Sequence, residues 1–128
     1  MSASKEQKIP GPDHPITVTP TDGHVVARAG DQVIAESDRA LTLQEANYPA
    51  VQYVPLADVD QAILRATEHQ TYCPYKGEAS YYSLVLDGET KENAVWTYEQ
   101  PYPAVAAIAG HLAFYPDRVD AVEELPAA

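Results

Sequence analysis

The chain has 128 residues and a formal net charge of -11, from 8 Lys plus Arg against 19 Asp plus Glu. That acidity disfavours a protein that grips phosphate backbones, because the grip comes from Lys and Arg. The length suits one domain with its own core, and a single Cys excludes an intramolecular disulfide and a Cys-only metal site.

Residues 1–15 read as a flexible arm, with Pro10, Pro12 and Pro15 and no apolar periodicity. The polar start lacks the apolar stretch of a signal peptide. No run approaches the ~20 apolar residues of a membrane span. The expectation is a cytoplasmic protein with its Cys reduced and with neither nucleic acid nor a membrane as partner. A single domain is expected over 16–122, followed by a frayed acidic tail over 123–128.

Ile16, Thr17, Val18 and Thr19 alternate and are β-branched, so they read as a strand. A turn at Asp22-Gly23 leads to a second strand over 25–29, a turn at Gly30-Asp31 and a third strand over 32–37. Residues 38–47 fit no clean period. A short strand over 51–54 stops at Pro55. Leu56, Val59, Ile63 and Leu64 fall near helical spacing, and Asp58 and Asp60 suit a first turn, so 56–66 reads as a helix. Residues 71–77 form a loop.

A strand over 79–86, a turn at Asp87-Gly88-Glu89 and a returning strand over 93–98 make a hairpin. Alternation puts Ala94, Trp96 and Tyr98 on one face and Val95 and Thr97 on the other. Pro101 and Pro103 open a short helix over 104–109, capped by Gly110, before a last strand over 111–115. Strands outnumber helices and do not alternate with them. The layout is mainly β, of the α+β kind, and not a parallel α/β sheet.

Several blocks stand out. They are Tyr48-Pro49-x-Val51-x-Tyr53-x-Pro55, then Thr71-x-Cys73-Pro74-Tyr75-Lys76-Gly77-x-Ala79-Ser80-Tyr81-Tyr82. Ala94-Val95-Trp96-x-Tyr98 and Ala113-Phe114-Tyr115-Pro116-Asp117 follow. Over 16–122 the chain resembles the domain-of-unknown-function family four-two-seven. The resemblance implies a small β-tent: two antiparallel sheets pinned at one edge, a cleft between them, and one or two short helices. The family also carries a nucleotidyltransferase label, which residues can test. Asp58-x-Asp60 is the only tight carboxylate pair before the tail, but residues two apart on a helix diverge. No Gly-rich phosphate cradle is present.

Cys73 is the sharpest chemical candidate. An ammonium such as Lys76 nearby can lower a thiol pKa and create a nucleophile. The competing reading is a buried, inert thiol. Glu45, just before Tyr48-Pro49, is a candidate proton carrier beside Cys73 or Lys76, although nothing in the sequence shows proximity. Tyr53, Tyr82, Trp96 and Tyr98 are candidate cleft walls, with the competing reading that such rings are core packing. Tyr82 alternates with Leu84 and Leu86, so its side looks like core. Arg28 is either a ligand contact or a cross-strand partner of Glu36. His14, His24, His69 and His111 show no metal-ligand spacing, so no metal and no cofactor is expected. Three readings remain open: a cleft that binds a small molecule, with or without Cys/Lys chemistry; a non-catalytic ligand- or peptide-binding module; and a homodimer built on the tyrosines. Monomer and homodimer are both compatible with the sequence.

Overall fold

The computed structural model describes residues 6–86 and 88–126. Asp87, the first residue of one expected turn, lies outside them. The described chain is mainly β. Its strands are β1 (Ile16–Pro20), β2 (His24–Ala29), β3 (Gln32–Ser37), β4 (Leu41–Glu45), β5 (Val51–Pro55), β6 (Leu64–Cys73), β7 (Gly77–Leu86), β8 (Glu89–Thr97), β9 (His111–Phe114) and β10 (Ala121–Leu125).

They form two antiparallel sheets. One has seven strands in the order β1-β4-β5-β9-β8-β7-β6, and the other has three in the order β10-β2-β3. The large sheet divides into two wings. One is β1-β4-β5 and the other is β9-β8-β7-β6. Only the pairs Val54↔Leu112 and Pro55↔His111 join them. Pro55 cannot donate to a ladder, so the join is short and the wings are free to diverge.

Strand alternation then sends side chains to two cores. Val54, Leu84, Leu112 and Phe114 face the small sheet and pack with Val25, Ala27 and Ile34. Tyr53, Tyr81, Tyr98 and Ala113 face the other way and pack with Leu43, Val105 and Ile108. Val54 and Leu112 are essentially sealed from solvent. Each such side chain contributes roughly 2 kcal/mol by burial alone.

The expected helix over 56–66 is not formed. Short 3-10 turns span Leu56–Asp58 and Gln61–Ile63, and β6 begins at Leu64. Leu56, Val59, Ile63 and Leu64 do share a burial site, against the small-sheet core. Shared burial produced the helical spacing, but the backbone satisfies it otherwise. Val59 bridges Ala35, the Asp60 amide donates to the Ile34 carbonyl, and the Asp60 side chain accepts from the Ala62 amide.

β6 also takes in residues 71–73 of the expected loop over 71–77, and β7 begins at Gly77, which leaves a tight turn over 74–76. As the edge strand of the large sheet β6 is mostly solvated, and its polar residues give no alternating signal. β4 occupies the segment that fitted no period. The second expected helix is a 3-10 segment, Pro103–Ile108, opened by Pro103 as expected. A register shift between Tyr82 and Leu84 and a positive φ of 49° at Asn93 interrupt the β7–β8 ladder. Ala94 consequently joins Val95 on the small-sheet side, away from Trp96 and Tyr98.

Candidate functional site

The wings enclose a cleft of about 380 Å³. One wing and the turn after β4 supply Leu43, Glu45, Tyr48, Pro49, Val51 and Tyr53. The other supplies Thr71, Lys76, Tyr81, Trp96, Tyr98 and Tyr115. Glu45 and Lys76 are the only formally charged residues among these.

Glu45 ends β4. After it the chain turns sharply, with φ of 46° at Ala46. The Tyr48 amide donates to the Glu45 carbonyl at 2.9 Å, and Gln44 Nε2 donates to the Tyr48 carbonyl at 2.6 Å. This turn aims the Glu45 carboxylate inward.

Lys76 is set by the hairpin between β6 and β7. The Lys76 amide donates to the Cys73 carbonyl at 3.2 Å, closing a turn with Pro74 at its second position. Gly77 follows with φ of 108°, a region that glycine tolerates best. The Tyr102 amide then donates to the Lys76 carbonyl at 3.0 Å.

The two charges meet inside the cleft. Lys76 Nζ donates to Glu45 Oε1 at 2.5 Å, with side chains only 12% and 15% exposed. Glu45 Oε2 lies 2.7 Å from His14 Nε2. The His14 ring stacks on Tyr75, 4.1 Å between centroids and 8° apart in plane. Burial alone would raise the Glu45 carboxyl, but the hydrogen bonds from Lys76 and His14 outweigh it and hold the group below the ordinary carboxylate range. Glu45 is therefore a carboxylate at neutral pH, and a poor proton acceptor.

The aromatic walls are cross-linked. Trp96 Nε1 donates to the Tyr53 hydroxyl at 3.1 Å. Trp96 leans on Tyr115 at 4.5 Å. The Tyr81 hydroxyl bonds Thr71 Oγ1 at 2.9 Å and the Tyr115 hydroxyl at 3.2 Å. Burial pushes the Tyr53 and Tyr98 phenols well up, and lifts Tyr115 to about 12, so all three stay neutral.

Five expected site residues thus meet in one cleft: Glu45, Lys76, Tyr53, Trp96 and Tyr98. Three do not line it. Cys73 is a half-buried free thiol packed against the cleft-side core, and the Lys76 ammonium bonds Glu45. Tyr82 packs against the opposite core, where its alternation with Leu84 and Leu86 put it. Arg28 lies on the small sheet and bonds Glu123 at 3.0 Å, while Glu36 bonds His24.

His14, Tyr81 and Tyr115 escaped the sequence reading as site residues. Tyr81 was accessible through parity, since it must face away from Tyr82. His14 carried no such signal, because its contacts with Glu45 and Tyr75 are long-range. Asp58 bonds Ser37 and Arg39, and Asp60 caps a 3-10 turn, so each carboxylate has a structural partner. Among the described residues no cluster of His, Cys, Asp and Glu is arranged to hold a metal, and no helix is long and apolar enough to cross a membrane.

The model of the family described as NTP_transf_9, domain of unknown function (DUF427), matches residues 17–125. No curated protein matches the chain.

Proposed function

The chain belongs to the DUF427 family, and on that footing we propose that it binds a small organic molecule in the cleft between the wings of its large sheet. The observation that carries this reading is a cavity of about 380 Å³, walled by aromatic rings, with one mostly buried ion pair in its lining. Small-molecule sites combine apolar walls of this volume, roughly 300–1,000 Å³, with a few fixed polar groups. Replacing a buried ion pair by apolar residues of similar size is often neutral for stability. The polar choice makes sense as orientation for a ligand.

Binding is favoured over Cys/Lys chemistry by two placements. Cys73 stands outside the cleft lining, and Glu45 is held as a stable carboxylate. A reducing compartment such as the cytoplasm, where Cys73 stays a thiol, fits this reading.

Trp96 is the only Trp in the chain and lines the cleft, so its indole N–H is a single reporter. In ¹⁵N-labelled protein, toluene, phenol and benzamide at millimolar concentration should move that resonance saturably, together with amides of β5 and β8. A Trp96 resonance indifferent to all three would remove the reading.

A further inference from the structure

We infer that the cleft selects an uncharged ligand that presents an acceptor oxygen, as a carboxamide or ketone does, to the hydroxyl of Tyr98. This rests on the cleft being a binding site. It goes further by naming the chemistry the ligand must have.

Charge comes first. Glu45 and Lys76 neutralise each other across 2.5 Å. Both carboxylate oxygens are engaged, one by Lys76 and the other by His14. The remaining lining is apolar, or is hydroxyl and phenol. A charged ligand entering such a site leaves water and finds no free counter-charge, which costs heavily in a low-dielectric environment. A neutral ligand has no such cost.

Hydrogen bonding comes second. Tyr98 is only 6% exposed. Its hydroxyl has no partner among the described residues, yet no buried side-chain oxygen there is left sealed and unbonded. The hydroxyl therefore opens on the cleft that Tyr98 lines. The oxygen of Tyr53, which also lines the cleft, accepts from Trp96 Nε1 and keeps its own hydrogen. Lys76 likewise keeps ammonium hydrogens beyond the one given to Glu45. The one carboxylate of the lining is committed, Glu45 to Lys76 and His14. The Tyr98 hydroxyl and the Lys76 ammonium thus still have hydrogens to give to a ligand oxygen.

Three ligands with one ring separate the possibilities: benzamide, neutral with an acceptor oxygen; benzoate, an anion; and benzylammonium, a cation. Each is titrated against the Trp96 indole resonance, with toluene as a ring without polar atoms. Benzamide should bind at least ten times more tightly than benzoate or benzylammonium. Tyr98→Phe keeps the ring and removes the hydroxyl. It should weaken benzamide about five- to tenfold, the effect of one lost hydrogen bond, and leave toluene unchanged. Benzoate or benzylammonium binding as tightly as benzamide would overturn the inference, and so would an indifferent Tyr98→Phe. If toluene moves Trp96 and benzamide does not, the cleft still binds and only the ligand chemistry is wrong. If no compound moves it, the cleft reading falls as well. Should Tyr98→Phe fail to fold, the charge series in the unmodified protein decides alone.

Discussion

Lys76 and Glu45 stand 31 residues apart in the chain and 2.5 Å apart in space, one from each wing of the large sheet. As backbone pairing the wings share a two-pair ladder at β5 and β9. The ion pair therefore ties their open sides together, across the cleft from the join. Its partners are mostly buried, so breaking it by removing one charge strands the other.

Lys76→Met should cost about 2 kcal/mol of unfolding free energy, because Glu45 keeps only its bond to His14. Glu45→Gln should cost less, since the amide oxygen still accepts from Lys76. The double variant should be more stable than the sum of the two losses implies, with a coupling of about 1 kcal/mol or more. Urea denaturation of the four proteins measures it. Strictly additive losses would mean that the two groups do not interact.

Tyr53 and Tyr98 carry the same side chain and should respond differently to loss of the hydroxyl. The Tyr53 oxygen accepts from Trp96 Nε1, and Tyr53 is 1% exposed. Tyr53→Phe takes the partner from the part-buried indole N–H and should cost about 1 kcal/mol. The Tyr98 hydroxyl bonds no described residue, so Tyr98→Phe should change stability by about 0.5 kcal/mol or less. Thermal melts of the two variants give the comparison. Equal losses would mean that the Tyr98 hydroxyl has an internal partner.

Much of this site is legible in the chain, and the reason is parity. β-branched runs mark β1, β2 and β3, and alternation places Trp96 with Tyr98 and Tyr82 with Leu84. What alternation cannot carry is distance along the chain. His14 reaches Glu45 across 31 residues, and no local pattern announces such a contact. Parity also fails wherever a bulge intervenes, as at Asn93, which moves Ala94 to the opposite core. The spacing of Leu56, Val59, Ile63 and Leu64 misleads for another reason. Periodicity reports a shared burial, and two 3-10 turns followed by a strand satisfy it as well as a helix does.

The hairpin that positions Lys76 depends on Gly77. Its φ of 108° lies outside the left-handed helical well that other residues sometimes enter. A Cβ there would meet Gln100 O at 3.5 Å, an ordinary contact, so the penalty is in the backbone rather than in space. Gly77→Ala should cost about 1–3 kcal/mol. Gly30 has φ of 60°, within that well, and a Cβ there meets nothing within 4 Å. Gly30→Ala should cost about 1–2 kcal/mol, and Gly30→Asn less. Denaturation midpoints of the two alanine variants test the order. A smaller loss at Gly77 than at Gly30 would mean that the hairpin relaxes.

Stability should fall at both ends of the pH scale, through different groups. Hydrogen bonds to the Asp38 and Glu36 carboxylates raise the His24 imidazole above its ordinary value of 6.5. The folded protein therefore holds this proton more tightly than the unfolded chain does. The resulting stability is fully present below 6.5 and is lost as pH rises through the raised value. Glu45 works in the opposite sense. Burial pushes its carboxyl up, but the bonds from Lys76 and His14 prevail and set it below its ordinary value of 4.5. Its contribution is present above 4.5 and is lost as pH falls through the lowered value. Asp58, lowered by its bonds to Arg39 and Ser37, adds to the same acid limb. Urea midpoints measured across the pH range should thus be level between the two limbs. His24→Gln should flatten the basic limb and leave the acid one. Glu45→Gln should reduce the acid limb in part, because Asp58 remains, and leave the basic one. A basic limb unchanged in His24→Gln would assign it to another group, since the three-way contact of His24 with Asp38 and Glu36 is what ties its protonation to folding.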